Sequence, residues 1–145
     1  MAQLQNDNLF FDVQKDVCKI LNDVPELSSL NFIPANNKNI ETEITKALRS
    51  QGILGVVIVN EASFQGFESG INTVWKVDEL VVQIIENPIV NRSSNNTNYI
   101  GTCEDIGAKV SQVLGSPEYG HWSEFNLKKI EIGEESNLLT AKVTF

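Results

Sequence analysis

The amino-acid sequence predicts an α+β fold, in which helices pack on one face of an antiparallel or mixed β-sheet that contains a long hairpin. The chain has 145 residues, of which 41% are hydrophobic, so it can build one core and we expect a single domain over residues 1–145. Apolar residues recur at helical spacing in three segments and follow strand patterns elsewhere. The resulting order is helix, helix, hairpin, helix, hairpin. It lacks the strand–helix alternation that is typical of a parallel sheet.

The first predicted helix lies near the N-terminus. Asp7 or Asn8 can cap its start, and Pro25 ends it because proline cannot continue a helix. Its apolar stripe consists of Phe10, Val13, Val17, Ile20, Leu21 and Val24. The following residues, 26–38, have no strong period. We expect a connection there, with at most a short extended piece over Asn31–Ile33.

The other two predicted helices have clearer ends. Asn39 is an N-cap candidate for the second helix, and Gly52 suits the position after its last turn. Its narrow apolar face, which we expect to pack on the rest of the domain, consists of Ile40, Ile44, Ala47 and Leu48. The third helix begins at Thr102, with Asp105 placed as in a capping box, and ends at Gly115.

Two apolar segments in the middle of the chain predict the long hairpin. Residues 53–59 form a nearly continuous β-branched run, which is typical of a central strand. Residues 72–86 are the longest strand candidate and carry apolar side chains on both faces. Asn87 and Pro88 end this strand, because proline cannot continue a central ladder.

Apolar and aromatic side chains cluster where this hairpin turns, at Phe64, Phe67, Ile71 and Trp75. A monomer would prefer polar residues at such a place, and a strand over residues 72–86 would extend beyond a domain of this size. Exposed aromatic patches and overhanging strands mark protein–protein contacts. We therefore predict that these four residues form a protein–protein interface. The alternative is that the hairpin folds back onto its own sheet.

Two further strands complete the predicted sheet. They cover residues 125–132 and 138–145, with a turn over residues 133–137. In the last strand one face carries apolar side chains and the other face polar ones, which is typical of a half-buried strand. The apolar face consists of Leu139, Ala141, Val143 and Phe145.

The charge of the chain argues against several kinds of partner. It has 19 acidic and 11 basic residues, a net charge of −8, and its only adjacent basic pair is Lys128-Lys129. Binding to phosphates requires clustered Lys and Arg, so we expect no specific nucleic-acid binding and no anionic membrane surface as partner. An acidic wall that lets DNA slide past remains compatible with this charge.

No segment of the sequence suggests secretion or membrane insertion. The N-terminus lacks the features of a signal peptide, and no apolar run approaches the length of a membrane span, about 20 residues. Cys18 and Cys103 each fall in a predicted helix and are expected to be buried thiols. We expect a protein made in the cytoplasm.

A search for catalytic or metal-binding patterns finds none. The single histidine, His121, lies beside Trp122 and has no partner pattern of a catalytic base. His, Cys and carboxylates do not cluster at ligand spacing. Gly66 and Gly70 are not followed by the Lys-Ser/Thr of a phosphate-binding loop. We therefore expect no catalytic residue, no metal and no cofactor, and predict that the protein is not an enzyme.

From Leu80 to the C-terminus, the chain resembles phage tail terminator-type proteins. The most distinctive part of the resemblance is the segment after the long strand, with Glu86, Asn87, Pro88, Asn91 and Arg92. A polar loop and the helix at Thr102–Leu114 follow. A Gly120-His121-Trp122 bend then precedes a strand pair that ends at Val143-Thr144-Phe145.

The resemblance implies a structural protein of the virion, located at the head–tail junction. It implies a homo-oligomer, a hexameric ring on top of the tail tube protein, that ends tail polymerisation and docks the head connector or neck protein, with DNA only passing through. Arg92 is expected to pair with Glu86 or, equally, with a neighbouring subunit. The alternatives are another tail or neck subunit, such as a tail completion or tube-like protein, and a cytoplasmic binding module that adds a peptide strand to its sheet.

Overall fold

A computed structural model describes residues 9–66, 73–115 and 125–145 of the chain. It has a five-stranded mixed sheet with helices on one side, which confirms the predicted α+β fold class. The described helices are α1 (Leu9–Asn22), α2 (Ile40–Ser50), α3 (Pro88–Asn91) and α4 (Cys103–Leu114), with one 3-10 turn at Pro25–Leu27. The strands are β1 (Phe32–Pro34), β2 (Ile53–Gly66), β3 (Thr73–Glu86), β4 (Lys129–Glu135) and β5 (Leu138–Thr144).

The strand order in the sheet is β1-β2-β3-β5-β4, and only the β1–β2 pair is parallel. The short extended piece expected near Asn31–Ile33 is this parallel edge strand. Phe32 lies opposite Gly55, and its ring occupies the space that a side chain at position 55 would need. Gly55 therefore lets β1 and its aromatic side chain approach β2 closely.

The core lies between one face of the sheet and the helices α1 and α4. In β3 the buried residues alternate as Leu80, Val82 and Ile84, which is the strand period, and in β5 the buried residues Ala141 and Val143 follow it as predicted. The helices contribute buried side chains at helical spacing, namely Val13, Val17, Cys18 and Leu21 from α1, and Cys103, Ile106, Val110, Val113 and Leu114 from α4.

The second helix packs on the rest of the domain, as predicted, with its apolar face partly buried. It contacts β2, but none of its residues is fully buried, so its narrow apolar face is only half covered. Asn39 occupies the N-cap position without a side-chain hydrogen bond to the helix. Gly52 has φ +79°, which confirms the predicted helix stop because this conformation favours glycine.

The first strand of the C-terminal hairpin, β4, begins and ends later in the chain than predicted. The prediction of a strand over 125–132 with a turn over 133–137 was wrong, since β4 spans Lys129–Glu135 and the turn is shorter. Ser136 and Asn137 have φ 52° and 67°, as in a tight turn between antiparallel strands. Because two residues suffice to reverse the chain, the three residues before them pair with β5.

The strands β2 and β3 are antiparallel neighbours, and β2 runs to Gly66, beyond the predicted end at residue 59. The register shifts between Val59 and Ala62, which indicates a β-bulge. The connecting residues 67–72 lie outside the described part of the chain. The long hairpin as a whole therefore stays a prediction.

Candidate functional site

Glu86 is the centre of the segment that the sequence singled out. It follows Leu80, Val82 and Ile84 at the strand period, so its side chain points to the same buried face, and it is 0% exposed. Asn87 leaves the strand, and Pro88 begins the short helix α3, where its missing N–H costs nothing. A carboxylate thus lies at the end of an otherwise apolar row.

Two neighbouring side chains and one distant backbone N–H donate hydrogen bonds to the Glu86 carboxylate. Arg92 binds it in a bidentate manner, with Nε 3.0 Å from Oε2 and Nη2 3.0 Å from Oε1. The amide of Asn91 donates to Oε2 at 2.7 Å, and the backbone N–H of Cys103 donates to Oε1 at 3.1 Å. The pairing of Arg92 with Glu86 within one chain, one of the two predicted alternatives, is confirmed.

Further bonds fix the residues around this carboxylate, and we call the whole set, Glu86, Asn91, Arg92 and the Cys103 N–H, the Glu86 cluster. Asn91 is 1% exposed and also donates to the carbonyl of Gly101 at 3.0 Å. Its own carbonyl accepts from the amide of Asn96 at 2.7 Å. The Glu86 cluster therefore joins the end of β3, the polar loop and the start of α4.

The protonation of the Glu86 cluster follows from its contacts. Burial alone would raise the pKa of Glu86, but the hydrogen bonds from Arg92, Asn91 and Cys103, together with the charge of Arg92, outweigh burial and lower it. Burial, with the nearby carboxylate of Glu86, raises the pKa of the Cys103 thiol to about 11. At neutral pH the cluster thus holds an ion pair next to a protonated thiol.

The surface beside the Glu86 cluster carries exposed apolar side chains. Ile89, the second residue of α3, is 82% exposed, and Tyr99 and Ile100 in the loop before α4 are also exposed. The loop before α4 is also bound to the segment after the 3-10 turn, because the hydroxyl of Ser29 donates to the carbonyl of Asn98 at 3.2 Å. Hydrogen bonds from the cluster and from Ser29 thus hold the backbone next to these exposed side chains.

The predicted interface at the hairpin turn is described only in part. Phe64 and Trp75 are opposite each other in the β2–β3 ladder, as backbone positions. Phe67 and Ile71 lie outside the described residues. The sequence prediction that these four side chains form an interface, with a neighbouring subunit or with the tail tube, therefore stays a prediction.

The second feature at the surface is the edge strand β4, in which every residue from Lys129 to Glu135 is exposed. Ile130 and Ile132 lie opposite Val143 and Ala141, so they point to the helix side of the sheet, yet α4 does not cover them. The exposed fraction of Ile132 is 52%. No other described strand pairs with the outer side of β4.

The described residues contain no group of three or more His, Cys, Asp or Glu side chains that could hold a metal ion. Cys18 and Cys103 are buried free thiols, as predicted. Within the described part of the chain, no helix has the length and apolar character needed to cross a membrane.

No family model matches this sequence, and no curated protein matches it.

Sequence reasoning identified the residues around Glu86 but not their geometry. The alternation of Leu80, Val82, Ile84 and Glu86 contained the signal that the carboxylate points inward. The sequence did not indicate the donor at Cys103, because this donor is a backbone N–H that is brought to Glu86 by tertiary packing. The open edge of β4 was also missed, since Ile130 and Ile132 alternate with polar residues as in a half-buried strand.

Proposed function

We propose that this protein is a structural subunit of a phage tail, a terminator-type protein that forms a six-fold ring on the tail tube. In this role it ends tube polymerisation and provides the surface on which the head connector docks, while DNA passes through the ring. The proposal is for a virion component and not for an enzyme. Its starting point is the resemblance of the segment from Glu86 to Arg92 and of the elements that follow it.

One structural observation carries the proposal. Ala62 of β2 and Val77 of β3 pack against the core. Beyond them the two strands continue to pair from Ser63 and Lys76 to Gly66 and Thr73. Among the described strands, no third strand pairs with this part of the ladder. A two-stranded ribbon is marginal by itself, so we propose that it packs on a further surface.

The ring supplies such a surface, because each subunit offers its neighbour the same pair of complementary patches. A closed ring forms when the contact is heterologous and the rotation closes. The ribbon is the part of the subunit that would reach the neighbour or the tail tube. The fixed surface around Ile89 lies at the other end of β3 and would face a different partner.

Two substitutions in the ribbon region test this contact. Phe67→Ser and Trp75→Ser should reduce the number of rings seen by electron microscopy while the thermal unfolding temperature changes by only a few degrees. Tyr99→Ser is the matched control, since Tyr99 is an exposed aromatic residue outside the ribbon. If the two variants lose the folded state instead, these side chains belong to the core and the contact is assigned wrongly.

A related tail or neck subunit would share this design and differ only in its place in the particle. The second candidate class is a binding module that adds an extended peptide to its sheet. The open edge of β4 favours it. The two classes differ in a simple way, because the module binds a peptide and forms no ring.

A further inference from the structure

The two edges of the sheet differ in how well they are protected. The edge at β1 is three residues long and includes Pro34, which has no N–H to donate. The edge at β4 is seven residues long, lacks proline, and is exposed along its whole length. Such an edge is a template for pairing with another strand.

The direction of the hydrogen bonds in the sheet shows which groups β4 offers. Leu80 and Phe145 exchange both backbone hydrogen bonds, at 3.1 and 2.8 Å, so they are a hydrogen-bonded pair. In every second residue of β5, counted from Phe145, the backbone N–H and C=O groups therefore point to β3. In the residues between them these groups point to β4. The register of β4 with β5 then leaves the N–H and C=O groups of Ile130, Ile132 and Glu134 on the outer edge.

We infer that the outer edge of β4 pairs antiparallel with β4 of a second copy of this chain, around a two-fold axis at Ile132. Antiparallel pairing about a two-fold axis must place outward-facing residues opposite one another. The three central registers that satisfy this condition have the axis at Glu131, Ile132 or Gly133. They differ in the charges that they bring together.

The charges of β4 favour the axis at Ile132. This register places Lys129 opposite Glu135 of the second copy, and by symmetry it does so twice. Ile132 then lies beside Ile132 of the second copy on the helix side of the sheet, and no like charges are opposed. Opposite charges at facing positions stabilise a strand pair, and both Lys129 and Glu135 are exposed. Lys129 forms an exposed ion pair with Glu131 of its own strand, with Nζ 3.4 Å from Oε1, and would exchange it for the pair with Glu135.

The two neighbouring registers each oppose acidic side chains. With the axis at Glu131, this residue lies directly opposite Glu131 of the second copy. With the axis at Gly133, Glu131 faces Glu135 on both sides of the axis. Like charges directly opposite one another destabilise a strand pair, so the sequence of β4 selects one register for pairing with itself.

This contact is independent of the proposed ring, although the two can coexist. A two-fold contact on every subunit of a closed ring joins two rings face to face, whereas on a free subunit it gives a dimer. In both cases the contact doubles the mass of the particle. The size of the undoubled particle, one copy or six, reports on the proposed function.

The first experiment measures the mass of the full-length protein by sedimentation equilibrium, over concentrations up to roughly 1 mM, because a contact of one strand is weak. The variant Ile132→Pro removes an outward N–H without removing a bond to β5. Its particle should have half the mass of the wild-type particle. The control Ile132→Val keeps the N–H and should keep the wild-type mass.

The second experiment tests the register with two exposed charges, and the ion pair of Lys129 with Glu131 in the same strand is of the exposed kind that contributes little to stability. Lys129→Glu alone, or Glu135→Lys alone, places like charges opposite each other and should weaken the association roughly tenfold or more. The double variant with both substitutions restores opposite charges and should return to wild-type association.

Each outcome decides the inference. A mass ratio of two, together with rescue in the double variant, supports the pairing at Ile132. A wild-type particle that never doubles in mass overturns it. Equal masses for wild type and Ile132→Pro, a double variant as weak as the single ones, or binding of an extended peptide in place of a second copy overturn it as well.

Discussion

At the scale of single residues, Glu86 has the largest number of partners among the segment's side chains. Its carboxylate is 0% exposed and accepts from Arg92, Asn91 and the Cys103 N–H. Because removing one partner of a buried polar cluster leaves the others unsatisfied, such residues are costly to replace. We regard this cluster as the element that fixes the loop before α4.

The substitution Glu86→Ala should therefore lower the free energy of unfolding by about 3 kcal/mol. Chemical denaturation of the two proteins measures this difference. Glu61→Ala is the control, since Glu61 is exposed on β2 and its loss should change stability by less than about 0.5 kcal/mol. Equal effects of the two substitutions would show that the cluster does not hold the loop.

The pH dependence of stability should also report on Glu86. Its pKa is lowered in the folded protein, so the unfolded chain binds this proton at a higher pH than the folded chain does. The stabilisation is present above the unfolded pKa, about 4.3, and is lost as the pH falls through the folded pKa. The stability difference between wild type and Glu86→Gln should shrink in that window. A difference that stays constant down to lower pH would contradict the assignment.

At the scale of elements, α4 begins with a complete capping box. The N–H of Asp105 donates to the Thr102 hydroxyl oxygen at 3.3 Å, and the N–H of Thr102 donates to the Asp105 carboxylate at 3.0 Å. This cap lies directly before the Cys103 N–H that binds Glu86. The start of α4 is thereby held by hydrogen bonds within the capping box and by the hydrogen bond to Glu86.

Thr102→Ala should lower the free energy of unfolding by about 1 kcal/mol, because it leaves the N–H of Asp105 without its acceptor. Thermal or chemical denaturation measures the effect. Thr97→Ala is a matched control in the exposed loop before the helix. A cost no larger than that of the control would mean that the cap contributes nothing to α4.

The elements also show what local sequence signals can and cannot predict. The capping box and the helix stop at Gly52 were predictable, because both depend on residues within one turn. The choice between an antiparallel and a mixed sheet stayed open in the sequence, since β1 has three residues and packs closely on β2 through Phe32 against Gly55. The prediction that α2 packs through its apolar face is confirmed, but the extent of its burial was not predictable, because coverage depends on neighbours that its own sequence does not specify.

At the scale of the whole molecule, charge is the property most relevant to the proposed role. The chain has a net charge of −8, and a ring of such subunits is expected to repel a duplex that passes through it. Repulsion permits sliding, whereas clustered basic residues would hold the DNA. The proposed lumen thus requires weak interaction with DNA.

We accordingly expect no binding of a duplex oligonucleotide to the purified protein, even at low ionic strength, where phosphate contacts are strongest. Fluorescence anisotropy of a labelled duplex measures this interaction. A salt-dependent affinity in the micromolar range would contradict the proposed passage of DNA and would point to a basic surface formed on assembly.

The sequence predicted the class of the fold and the location of the Glu86 segment, and the candidate surfaces were harder to find. Glu86 and Arg92 were predictable as a pair because they lie close together along the chain. The open edge of β4 was not, since exposure of Ile132 depends on how far α4 extends over the sheet. Surfaces for assembly are defined by what the rest of the fold leaves uncovered.

The central claim is that this chain is a subunit of a ring, and electron microscopy of the purified full-length protein in negative stain tests it most directly. The account predicts end-on views with six-fold symmetry and a central opening, built from subunits of 16.1 kDa. Particles of only one or two copies, without a ring at any concentration, would contradict it.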